Sequence, residues 1–165
     1  MFAELGLRLR SALGEIATRI DHIGSTSVPG LAAKPIIDVQ VSVRILDPVA
    51  PFRDPLEKLG FVFRDRNADL TKRYFRESPG ERRTQLHVRQ AGSWAEQFAL
   101  LFRDYMRAHP DDATAYAEQK RLLADRYTTD RRGYTEAKAD FLWPVMRKAD
   151  AWGQAVGRVL GPSDA

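Results

Sequence analysis

The chain has 165 residues, enough for one domain that builds its own core without metals or disulfides. It holds no cysteine, which excludes disulfides, thiol catalysis and cysteine-ligated zinc together and agrees with a reducing cytoplasm. The formal net charge is +4, from 20 Arg and 6 Lys against 22 acids, but the charges interleave, as in RDRNADLTKRYFRESPGERR. They do not form the basic stripe of a nucleic-acid binder, so no specific nucleic-acid partner is expected.

Leu5, Leu9, Ala12, Leu13 and Ile16 recur at helical spacing and predict a helix over 2–17. Glu4, Arg8, Arg10 and Glu15 interrupt that run, so it is no signal peptide, and no apolar stretch approaches the roughly 20 residues of a membrane span. The expectation is a soluble, cytoplasmic protein with no membrane partner. A strand over 19–23 leads into Gly24-Ser-Thr-Ser-Val-Pro-Gly30, a turn or very short helix punctuated by Gly and Pro. Ile37, Val39, Val41 and Val43 then alternate with Asp38, Gln40 and Ser42, predicting a strand with one aliphatic and one polar face.

Asp47-Pro48 opens a helix that Gly60 ends, and strands follow at 61–65, 72–77 and 84–90, the last two joined as an antiparallel hairpin across Ser78-Pro-Gly80. In the last strand Gln85, His87 and Arg89 share a face. Ser93-Trp-Ala-Glu96 is a capping box opening a helix striped by Trp94, Phe98, Leu101, Phe102 and Tyr105. His109-Pro110 breaks it, Asp111 or Asp112 caps a helix to about 127, and a last helix from about 135 to 160 carries Pro144, which should bend or break it. The three tryptophans read as core. Strands followed by helices make an α+β domain, with a sheet-bearing part over 1–92 and a helical layer over 93–160.

HIGSTSVPGLAAKPIIDVQV is the chemically loaded stretch. A glycine and hydroxyl residues at a tight turn aim several backbone N–H groups at one point, which suits an anion. Lys34 adds charge, and Asp38 on the next strand is placed to hold a divalent cation bridging phosphates. Gly24, Pro29 and Gly30 also serve as plain turn residues, whereas Ser25, Thr26 and Ser27 together favour ligand contact. His22 and His87 fit two readings equally, as structural histidines or as phosphate and proton handlers. Arg103, Asp104 and Arg107 lie off the apolar stripe, as a solvated face or a substrate-facing cluster. Tyr116 with Lys120, and Tyr134 with Lys138, each share one helix face.

The stretch over 22–41 resembles the signature of the GrpB family, a branch of the nucleotidyltransferase fold, and is similar to the domain appended to some actinobacterial dephospho-CoA kinases. The likeness continues through LHV (86–88), FRDYMRAHP (102–110), Tyr116 with Lys120, and Tyr134 with Lys138. It implies a nucleotidyltransferase-like mixed sheet followed by a helical layer. It makes Gly24 and Ser25 the pair that contacts a triphosphate, and Asp38 the first of two acids that hold Mg²⁺ for an in-line displacement. The second acid position is Gln40, which carries no charge; Gln40→Asp would then complete the pair. The expected ligand is a nucleotide or phosphorylated small molecule, with Asp38 and His87 as catalytic candidates. His22, Gly24, Ser25, Thr26, Ser27, Lys34, Arg103, Arg107, Tyr116, Lys120 and Lys138 are the ligand-contact candidates. Nucleotidyl transfer to an unassigned acceptor stands beside a non-catalytic, ligand-binding or partner-assisting domain with a degenerate metal site.

Overall fold

The computed structural model describes residues 2–165, the side chain of Arg131 excepted. Helix α1 (Phe2–Leu13) turns Gly6, Leu9 and Leu13 inward and stops earlier than its apolar pattern suggests, because Gly14 takes φ +50 and starts a single 3₁₀ turn. Strand β1 (Ala17–Ile23) follows, then β2 (Ile37–Val43), α2 (Ala50–Lys58), β3 (Phe61–Phe63), β4 (Lys72–Glu77) and β5 (Thr84–Gln90). The five strands form one mixed sheet in the order β1-β2-β5-β4-β3. The central pair β2 and β5 is parallel and the other three pairings are antiparallel, including the expected β4–β5 hairpin.

The period-two pattern of β2 sets the two sides of this sheet. Val39 and Val41, with Leu86 and Val88 of β5, are fully buried against Leu9 and Leu13 of α1 and Phe52 and Leu56 of α2. The opposite face is the polar one expected from the alternation, but it is not open. Gln40 and Ser42 are fully buried, because α3 (Trp94–Ala108) lies across that face, and Asp38 alone remains half-exposed.

Helices α4 (Pro110–Arg126) and α5 (Arg131–Val156) pack outside α3 around Phe102, Met106, Tyr116 and Met146. Helix α3 therefore has a partner on both sides: Arg103, read as lying off its buried stripe, is 3% exposed, and Glu96 of the capping box is 1% exposed. Ser93 caps it by accepting from Glu96 N–H (3.3 Å), while the Glu96 carboxylate accepts from Gly92 N–H (2.6 Å).

Several boundaries shift for physical reasons. Helix α2 starts at Ala50, since the Asp47 carboxylate is held by Arg73 of β4 at 2.5 Å and caps nothing. Helix α4 starts at Pro110 without a side-chain cap, Asp112 being engaged by Lys148 (2.7 Å) and the Tyr105 hydroxyl. Helix α5 starts at Arg131 because Asp130 caps Gly133 N–H (2.8 Å), continues through Pro144, and ends at Gly157 in the left-handed region. Trp94 and Trp143 are 67% and 49% exposed and stack on each other at 6.2 Å, so they are not core. No helix among the described residues is long and apolar enough to cross a membrane.

Candidate functional site

A cleft of about 1240 Å³ opens between the sheet and the helical layer. Its floor is the C-terminal end of β1, the following turn, and the exposed ends of β2 and β5; its far wall comes from α4 and α5. It gathers Gly24, Ser25, Thr26, Lys34, Asp38, His87, Tyr116, Lys120 and Lys138, nine of the residues expected from sequence.

The turn is built by local bonding. Gly24 takes φ 70 and ψ −170, a region that side chains make costly, and its carbonyl accepts from Ser27 N–H (3.2 Å) and Ser27 Oγ (2.6 Å). Thr26 Oγ1 donates to the Ile36 carbonyl (3.0 Å), tying the turn to the entry of β2. A Cβ on Gly24 would stand 2.6 Å from Oδ2 of Asp38, so the absence of a side chain lets the strand acid approach the turn. Ser25 is left to face the cleft, where its Oγ accepts from Lys120 Nζ at 2.6 Å.

That bond bridges the sheet side and the helical side. Burial holds the Lys120 ammonium below its usual pKa, helped by repulsion from Lys138 and Lys34 and opposed by Asp38. Burial lowers Lys138 likewise, with Asp38 again opposing. Tyr116 is 4% exposed, packs on Phe102 and Phe141, and has its hydroxyl pKa pushed up by burial.

His87 points Nε2 at Asp38 Oδ1 across 3.7 Å, longer than a hydrogen bond. Burial lowers its pKa against the pull of Asp38, which favours the neutral ring, and its buried Nδ1 has no hydrogen-bond partner.

Gln40 does not reach the cleft. Its Oε1 accepts from Arg89 Nη1 at 2.6 Å and its Nε2 faces the Glu96 carbonyl at 3.4 Å. Asp21, opposite Gln40 in the β1–β2 register, is fully buried and held by Arg19 (2.9 Å) and Arg103 (3.1 Å). On β5 the residues beside Asp38 and Gln40 are Gln85 and His87. Among the described residues no group of three or more His, Asp or Glu side chains is placed to hold a metal ion. The donor set of a two-ion centre is therefore not assembled: one carboxylate, Asp38, faces the floor of the cleft.

Four expected ligand contacts lie elsewhere. Arg103 is buried in an ion-pair network with Asp21, Asp104 (2.8 Å) and Asp164 (2.9 Å). Arg107 donates through Nε to the Ser27 carbonyl (2.9 Å), bracing the turn from behind. Ser27 is buried by its bond to Gly24, and His22 stacks on Phe2 at 4.7 Å with Nε2 3.1 Å from Thr26 Oγ1. Arg107, Ser27 and His22 support the turn, Arg103 ties α3 to β1 and to Asp164, and none of the four lines the cleft. Arg89, Arg83, Arg121 and Tyr134 do line it. Arg89 was legible as a site residue from its shared face with His87; Arg83 and Arg121 stand outside any motif.

Comparison with known proteins places these features in a lineage. The sequence model described as GrpB protein matches residues 1–148. The chain is 35% identical to UPF0157 protein YqkA of Bacillus subtilis over 92% of its own length and 44% of that protein. It is 40% identical to UPF0157 protein PA4798 of Pseudomonas aeruginosa, over 90% of the chain and 62% of that protein. It thus spans less than two thirds of either relative. A dephospho-CoA kinase of Mycobacterium leprae is 33% identical over 91% of the chain and 43% of the kinase. The crystal structure of conserved protein GrpB from Enterococcus faecalis superposes with TM-score 0.79 at 33% identity, covering 92% of each chain. The Cid1 poly(U) polymerase, at 17% identity and TM-score 0.53 over 82% of this chain and 47% of Cid1, shares the nucleotidyltransferase fold.

Proposed function

The chain belongs to the GrpB family, and from that membership and the geometry of its cleft we propose that it binds a nucleotide or another phosphorylated small molecule between sheet and helical layer. The observation that carries the reading is the Lys120–Ser25 bond of 2.6 Å, which fixes a lysine over a glycine–serine turn. Two further lysines, Lys34 and Lys138, line the same space. Phosphate oxygens satisfy such ammonium, hydroxyl and backbone donors at once. Tyr134 offers apolar surface for the organic part of the ligand.

Binding without transfer is the reading the site supports best. Nucleotidyl transfer by two ions needs a second carboxylate beside Asp38, and that position is a buried Gln40 bonded to Arg89. Asp38 remains the carboxylate available to a Mg²⁺ ion carried in with phosphates. The similarity to a segment of a dephospho-CoA kinase supports a ligand-binding or partner-assisting role beside a phosphoryl-transfer enzyme. The test is a thermal-shift series with nucleoside mono-, di- and triphosphates. The midpoint should rise with at least one ligand and the rise should vanish in Lys120→Ala. No rise with any of them would overturn the reading.

A further inference from the structure

Resting on that reading of the cleft, we propose that its phosphate binding is independent of a metal ion: Lys120, Lys138 and Arg89 supply the positive charge that a resident cation would otherwise give.

Six cationic side chains line the cleft, namely Lys34, Arg83, Arg89, Lys120, Arg121 and Lys138, against two carboxylates, Asp38 and Glu118. Among the described residues none of the six has a carboxylate within the 4.0 Å of an ion pair. The contrast with Arg103 is sharp, since that buried guanidinium is matched by Asp21, Asp104 and Asp164. Lys34, Arg83 and Arg121 are exposed, but Arg89, Lys120 and Lys138 are half-buried. A half-buried cation without a counter-charge is costly, and the cost is relieved when an anion enters.

The sites where metal-holding acids would stand are committed to other bonds. Position 40 is an uncharged glutamine that draws Arg89 to 2.6 Å, so a guanidinium lies beside the place a second acid would open. Asp21, the acid nearest in register, is neutralised by Arg19 and Arg103. A divalent ion on Asp38 alone would face the charges of Lys120 and Lys138 with one carboxylate to hold it. An oligophosphate faces the reverse situation: every one of those charges attracts it. Arg89 strengthens the case, because its buried Nε has no partner in the protein.

The ligand class that follows is an anion with two or more phosphate groups, bound as the free polyanion. Inorganic tripolyphosphate and ATP are the probes, titrated by calorimetry into the full chain in EDTA and again with excess Mg²⁺. Both should bind in EDTA, and Mg²⁺ should leave affinity unchanged or weaken it, because it removes charge from the phosphates. Lys120→Ala and the packing-conserving Lys138→Met should each lower affinity in EDTA about tenfold or more, the loss of one charge-assisted bond. Circular dichroism of each variant checks that the fold is kept. Binding that appears only with Mg²⁺ would overturn the metal-independence while leaving the nucleotide-binding role standing. Binding of neither probe in either condition would overturn both. Undiminished affinity in both folded lysine variants would place the anion elsewhere and overturn the inference.

Discussion

A methyl group on Gly24 would stand 2.6 Å from Oδ2 and 3.0 Å from Cβ of Asp38, the acid that faces the cleft floor. The close approach of turn and strand therefore requires glycine twice over, for space and for φ 70 with ψ −170. Gly24→Ala should cost about 1–3 kcal/mol from the backbone alone, with more from displacing β2. Urea unfolding should show the loss, and phosphate binding should fall with it, because Ser25 moves with the turn. A variant as stable as the parent would mean that the turn relaxes easily and that its geometry is not tied to Asp38.

Asp38→Asn separates two roles that one carboxylate could play. As a metal anchor it would be needed for binding, and its loss would weaken Mg²⁺-dependent affinity. As the carboxylate on the cleft floor among cations, it opposes an incoming phosphate. The expected outcome is tighter tripolyphosphate binding in EDTA, roughly fivefold, on the order of 1 kcal/mol. Calorimetry on parent and variant reads the sign directly. Weaker binding in EDTA would show that Asp38 contacts the ligand through a hydrogen bond or a protonated oxygen.

Arg103 should behave as a stabilising residue and not as a ligand contact. It is 3% exposed and joins Asp21 of β1 to Asp104 of its own helix and to Asp164 near the chain's last residue. Removing one member of a buried ionic group leaves the others uncompensated, so Arg103→Ala should cost about 3–5 kcal/mol. The ligand affinity of the fraction that stays folded should match the parent's. A mild stability loss with lost affinity would reassign Arg103 to the cleft.

The legible and illegible parts of this site have physical causes. Alternation in IIDVQVSV placed Asp38 and Gln40 on one face correctly, because side-chain direction in a strand is a local property. Whether that face is open is not local: α3, more than fifty residues on, covers Gln40 and stops short of Asp38. The same limit applies to Arg103. A helix stripe is read as one buried face, but α3 lies between the sheet and two further helices, and both of its sides are occupied. Lys120 and Lys138 were expected in the cleft from the family resemblance and from sharing a helix face with a tyrosine; that they act on the same space follows from α4 packing against α5. Met1 lies outside the described residues.

Acid should loosen the β4–β5 hairpin through Glu77. Its carboxylate is held bidentately by Arg76 (2.8 and 3.0 Å) and accepts from Thr84 N–H (3.0 Å), across the loop from β4 to β5. The Arg76 bonds, with help from Thr84 N–H, hold its pKa at about 2, well below the usual 4.5. A depressed carboxylate contributes stability that is complete above 4.5 and is lost as pH falls toward 2. Glu77→Gln should flatten that acid limb in a stability–pH profile while changing the slope above pH 6 little. Profiles that run parallel below pH 4.5 would remove Glu77 from the account.

Gln40→Asp is the sharpest probe of the expectation that a second acid would rebuild a metal pair. Residue 40 is fully buried and already bonded to Arg89, so a carboxylate there meets a guanidinium before it meets an ion. The new charge should pair with Arg89, an attraction that strengthens away from water. Arg89 would then be drawn from the cleft, and its contribution to phosphate binding would fall. Two outcomes are expected together: Mg²⁺ alone should shift the thermal midpoint no more in the variant than in the parent, and tripolyphosphate affinity in EDTA should drop several-fold, about 1 kcal/mol. Differential scanning fluorimetry with and without Mg²⁺, followed by calorimetry, measures both. A clear Mg²⁺-dependent gain in the variant would show that Arg89 swings aside and that position 40 reaches the cleft. The buried glutamine would then be the one substitution separating this protein from a two-ion site, and nucleotidyl transfer would regain its place.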